Sequence, residues 1–147
     1  MQSIDILRQL AVLDRDRIEQ VLHDLIELRT NENVEAFSKL AAPNIVLEVV
    51  GDPRHFGPAG RYPGKVAAMD VLRRMIIDVI HLDYEILDQM IDHDKAMVRR
   101  IVRARHRGTG ITLEHEIWDL VQFEDGMISR ITKFVDMHAS MMLLGPG

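Results

Sequence analysis

The chain has 147 residues, a length suited to one domain around a single core. Apolar residues make up 47% and charged residues 28%, an ordinary globular balance, and a net charge of −5 gives no support to a nucleic-acid surface. The absence of cysteine excludes disulfides, thiol nucleophiles and thiolate metal sites, and no apolar run reaches the length of a membrane span. The N-terminus, "MQSIDILRQLAVLDRDR", is charged throughout and lacks a signal-peptide core, so a cytoplasmic location is expected. Nine methionines against 5% aromatics suggest a core of aliphatic and thioether side chains.

Residues 1–147 read as a single domain, with residues 1–13 as a helical arm built on Ile6, Leu7 and Leu10 and broken near Asp14. Ile18, Val21, Leu22, Leu25 and Leu28 form a helical stripe that Asp14 or Asp16 would cap. "TNEN" (30–33) is a polar turn, and "VEAFSKLA" (34–41) is a short helix stopped by Pro43. "NIVLEVVG" (44–51) is a strand with a carboxylate, Glu48, inside an apolar run. Out of water, such a group must be paired, kept neutral or used. Four glycines and three prolines make residues 51–64 a long loop, a type often functional. Val66, Met69, Leu72, Met75, Ile76 and Val79 mark a helix from about residue 65 to 80. Strands follow at 81–92, 96–108, 112–123 and 127–136, with "DHDK" and "EDG" as turns. Helices followed by a run of strands make an α+β pattern.

This order resembles the nuclear-transport-factor-2-like fold, and within it the SnoaL-like and ketosteroid-isomerase-like groups. "NENVEAFSKLAAPNIVLEVVG" is similar to the family's second helix and first strand. "AGRYPGKVAAMDVLRRM" resembles its glycine-rich approach to the third helix, and "VQFEDGMISRITKFVD" its final hairpin. The resemblance covers residues 14–137. It implies a curved antiparallel sheet wrapped around three helices, a cone with an apolar pocket, and a homodimer formed through the outer face of the sheet.

Alternation places Leu113, His115, Ile117, Asp119, Val121 and Phe123 on one face of strand 112–123. Trp118 and Leu120 lie on the other, as a plausible dimer contact. On strand 96–108, Val98, Arg100, Val102, Ala104 and His106 share a face, and on the last strand Ile128, Arg130, Thr132, Phe134 and Asp136 do. Ketosteroid isomerases carry a general-base carboxylate on the first strand, and Glu48 matches that position. Their second acid, neutral and donating to a developing oxyanion, is matched by Asp119. Their first-helix tyrosine is missing; ungapped counting puts Asp24 there, beside His23. Limonene-epoxide hydrolases pair an arginine and an aspartate two apart on the long strand. Here Arg100 keeps the arginine and Val102 replaces the aspartate.

The resemblance thus implies an enzyme using acid–base chemistry on a small apolar carbonyl compound, an isomerase or polyketide-cyclase-like protein. Glu48 and Asp119 are its candidate catalytic residues. Asp24, His55, Tyr62, Arg100, His106, His115, Phe134 and Asp136 are candidates for the pocket wall. The alternative is a non-catalytic ligand-binding or assembly domain. Neither a cofactor nor a metal is expected: His115 and Asp119, four apart on a strand, are separated by about 13 Å. Nucleic acid and membrane are not expected partners; "RRIVRARHR" reads as a solvated strand face.

Overall fold

In the computed structural model the backbone is described for residues 2–143 and the side chains for residues 15–143. Helix α1 (Gln2–Thr30) runs unbroken, so the break expected near Asp14 is absent and Asp16 lies mid-helix rather than at a cap. The side chains of Ile6, Leu7 and Leu10 lie outside the described residues. The α1 stripe buries Ile18, Val21, Leu22, Leu25 and Ile26. Helix α2 (Val34–Leu40) starts at Asn33, whose side chain accepts a bond from the Ala36 amide at 3.1 Å, the expected role of a polar residue at a helix start.

Strand β1 (Ala41–Val50) begins directly after α2, before Pro43 rather than behind it. The long loop narrows to residues 51–59, because Gly60–Pro63 forms a short strand β2 paired with β1. Helix α3 (Lys65–Asp78) leads into β3 (Val79–Asp92), β4 (Lys95–His106), β5 (Thr112–Glu124) and β6 (Met127–Val135). The turn between β5 and β6 has Asp125 and Gly126 at φ 52° and 77°, the paired positive values that an Asp-Gly hairpin turn requires. A last helix, α4 (Met137–Leu143), has no counterpart among the sequence expectations.

The strands form one curved, unclosed sheet in the order β2-β1-β6-β5-β4-β3. Neighbours are antiparallel except β1 and β6, which run parallel, so the sheet is mixed. Bulges in β3, between His81 and Asp83 and between Ile86 and Asp88, fit this curvature. The concave face holds the core, where the α1 and α3 stripes meet Val98, Val121, Phe123, Ile128 and Ile131. Methionine contributes less than its abundance suggests. Among the described residues only Met69 and Met75 are buried, while Met90, Met141 and Met142 are exposed. No helix among the described residues is long and apolar enough to cross a membrane.

Candidate functional site

At one end of the core, the curved sheet and the helices leave a cavity of about 30 Å³, room for one or two waters. Its apolar wall comes from Phe56, Leu72, Met75, Val79, Ile117 and Leu143. Its polar wall comes from Arg29 on α1, His81 on β3, His115 on β5, Lys133 on β6 and Ser140 on α4. The two imidazoles stand edge to face, with centroids 6.4 Å apart.

Behind this wall lies a buried charge cluster. Asp119, 1% exposed, accepts from Arg100 Nη1 and, at 2.7 Å, from Lys133 Nζ. The strands dictate this meeting. Lys133 is directly opposite Asp119 across β5–β6, and Arg100 is opposite Ile117, one diagonal step away. Burial pushes the Asp119 carboxyl up, but Arg100 and Lys133 outweigh it and hold the group at about 2. Asp119 is therefore an ionised acceptor. A neutral acid donating a hydrogen bond would need the opposite environment.

The other groups are shaped first by burial. Arg29 is lowered to about 10 by desolvation and by the charge of Arg100. Desolvation also lowers Lys133, with Asp119 opposing the shift. His115 falls to about 4 by burial, with Asp136 opposing and Arg100, Lys133 and Arg29 adding to the fall. His81 lies well below its usual value for the same leading reason, with Arg29 the largest of the charges that add to it. Both imidazoles are neutral near pH 7. Four buried nitrogens have no hydrogen-bond partner among the described residues: Arg29 Nη1, Arg100 Nε and both ring nitrogens of His115. Such groups are uncommon in folded proteins and call for an explanation.

The remaining candidates are dispersed. Glu48 does not face the cavity: Ile45, Leu47 and Val49 take the inner face of β1, and Glu48 projects from the outer one. There it accepts from Arg130 at 3.3 Å and is 31% exposed. Phe134, 40% exposed, is likewise on the outside. The cause is a register shift between Gln122 and Phe123 opposite Ser129. It puts Ile128 in the core, and then Ile131, Lys133 and Val135 inward, out of phase with Ile128. Asp24 sits on the flank of α1, accepting from Gln20 at 2.9 Å. His55 is exposed, and its neighbour Phe56 enters the cavity instead. Tyr62 donates to the Pro58 carbonyl at 2.8 Å and packs on the main core. His106 accepts from the Gly108 and Thr109 amides, fixing the β4–β5 turn. Asp136 accepts from the Ala139 amide at 3.1 Å and so starts α4. Arg100 and His115 are on the inner face, as alternation predicts.

Sequence reasoning passed over Arg29, His81, Lys133, Phe56 and α4. Arg29 carried a signal: it follows Leu25 by four residues and so continues the buried stripe of α1. Among the described residues, no three His, Asp or Glu side chains converge as metal ligands.

A family model described as a SnoaL-like domain matches residues 22–131. No curated protein sequence matches the chain. Solved structures similar to it include a provisionally named isomerase from Rhodopseudomonas palustris, 20% identical, with a TM-score of 0.73 over 88% of this chain and 96% of the other. A provisionally named polyketide cyclase from Xanthomonas campestris is 15% identical, with a TM-score of 0.72 over 88% and 98%. An M. tuberculosis LEH-like epoxide hydrolase is 17% identical, with a TM-score of 0.66 over 84% and 87%. At these identities the likeness is one of fold.

Proposed function

Because the chain belongs to the SnoaL-like domain family, we propose that it is an enzyme that moves a proton next to the carbonyl of a small, largely apolar compound, as an isomerase or cyclase does. The observation that carries this reading is the His115 imidazole, buried and unpartnered at both nitrogens, in a cavity with one apolar wall and Arg29 and Lys133 on the other. A neutral imidazole takes a carbon-bound proton on its free nitrogen lone pair. The electron pair released moves onto the carbonyl oxygen as an enolate. Lys133 and Arg29 supply positive charge on the same wall for that oxygen. The imidazolium then returns the proton to another carbon, which is isomerisation. Alternatively the enolate carbon attacks a second carbonyl and the alkoxide takes the proton, which is cyclisation. Asp119 has a positioning role here, holding Lys133 and Arg100, and Glu48 has no part in the chemistry.

The second reading is a non-catalytic small-ligand-binding or assembly domain. It is favoured by one observation: both carboxylates expected to do chemistry are tied to basic partners. Deuterium exchange separates the readings. Butanone and 4-oxopentanoate incubated with the protein in D₂O, followed by proton NMR, should lose α-protons faster than in buffer. His115→Gln should slow that exchange by about 10²-fold or more. No catalysed exchange with either ketone removes the enzyme reading and leaves the binding one.

We also propose that two copies pair through the outer face of the sheet. Trp118 and Phe134 are directly opposite each other across β5–β6, 37% and 40% exposed, and Leu120 and Val50 lie on the same face. A patch of this kind is typical of a surface that is covered.

A further inference from the structure

We propose that the ligand of this cavity carries a carboxylate, seated between Arg29, Lys133 and His115, with a short apolar body against Phe56, Met75 and Leu143. The inference rests on the cavity being the ligand site, and not on catalysis taking place there.

Three basic side chains are gathered here, Arg29 and Arg100 at 6% and 1% exposure and Lys133 beside them, against one buried carboxylate, Asp119. Asp119 is the one carboxylate in direct contact with these three cations, among the described residues. Glu32 and Asp136 act on Arg29 and His115 from a distance, but neither makes a hydrogen bond to them. Glu32 is bound to Arg107, Glu27 to the Tyr84 hydroxyl, and Asp136 to the start of α4. Arg29 spends one nitrogen, Nη2, on the Val79 carbonyl at 3.2 Å and leaves Nη1 without a partner. A buried cation lacking a counter-charge is unfavourable, and an arriving anion would relieve that cost.

Size and shape select the anion. A carboxylate head has three heavy atoms, commensurate with a space of about 30 Å³. A phosphate, with five heavy atoms in its head, is bulkier than a carboxylate and fits this space less well. The body that follows the head meets only apolar side chains, so it displaces Phe56 or Leu143 rather than breaking hydrogen bonds. A bound carboxylate would also raise the lowered basicity of His115, making it a stronger proton acceptor only when the ligand is present.

Calorimetric titration of the full chain at pH 7 and low salt, with butyrate and with its neutral isostere butyramide, tests this. Butyrate should bind at least about ten-fold more tightly than butyramide, as charge-assisted bonds require. Arg29→Gln should weaken butyrate by about ten-fold and butyramide by clearly less, and Arg29→Lys should recover part of the butyrate loss. If Arg29→Gln fails to fold, the wild-type comparison decides alone. Equal affinity for the two probes, no butyrate binding at millimolar concentration, or tighter binding of inorganic phosphate would each overturn the inference. Butanone exchange that persists without butyrate binding would remove the carboxylate and leave the proton-transfer reading. Butyrate binding without exchange would do the reverse.

Discussion

Glu48 and Asp119 are both carboxylates on strands, and their opposite fates follow from which face each occupies. Asp119 shares its face with Ile117 and Val121 and is 1% exposed between two cations. Asp119→Asn strands Arg100 and Lys133 in the interior, so it should destabilise the fold by about 3–5 kcal/mol in urea denaturation. Glu48 shares its face with Val46 and Val50 and meets Arg130 in a half-exposed pair. Glu48→Gln should change stability by less than about 1 kcal/mol and leave ketone exchange intact. The alternation of β5 was legible because no bulge interrupts it before Gln122, and it put His115 and Asp119 inward correctly. In β1 both faces are apolar, so period alone could not choose between them. There the polarity of Glu48 itself was the better guide: it marked the face nearer to water.

Among the elements, the helix-then-strand order and the Asp-Gly hairpin could be read from spacing, and the paired positive φ values at Asp125 and Gly126 bear out the latter. The bulge at Ser129 could not, because an extra residue in a strand changes no composition and shows itself only through the register with β5. Helix α4 was hidden for another reason. "MHASMML" is too short to display a helical period, and what makes it helical is the Asp136 cap and the burial of Ala139, Ser140 and Leu143. The cap is testable. Asp136→Ala should cost about 1 kcal/mol and speed amide exchange in α4 while leaving the sheet protected. Unchanged exchange in α4 would show that burial alone holds the helix.

On the scale of the whole molecule, the sheet has a concave face that encloses the cavity and a convex one that exposes Trp118 and Phe134, the surface proposed for pairing. Trp118→Glu should convert a dimer to a monomer in sedimentation at micromolar concentration with the cavity undisturbed. A wild-type chain already monomeric there would remove the pairing. Acid should weaken the fold through the buried imidazoles. His115 has a folded-state value of about 4, below its ordinary 6.5, so the unfolded chain binds more protons between those values. Its contribution is complete above pH 6.5 and is lost as pH falls towards 4, amounting to about 3 kcal/mol, with His81 acting in the same direction. Urea denaturation at pH 7.5 and pH 4.5 should show most of that loss. Asp119, held at about 2 against 3.8, adds a further loss only below pH 4.

The proposed chemistry requires His115 to be a neutral imidazole beside Arg29 and Lys133, and the proposed ligand is an anion. An NMR titration of the imidazole signals, with His115 assigned through His115→Gln, measures this directly. The account predicts a midpoint near pH 4 in the free protein and a clear upward shift when butyrate is added. A midpoint near 6.5 that butyrate does not move would contradict it.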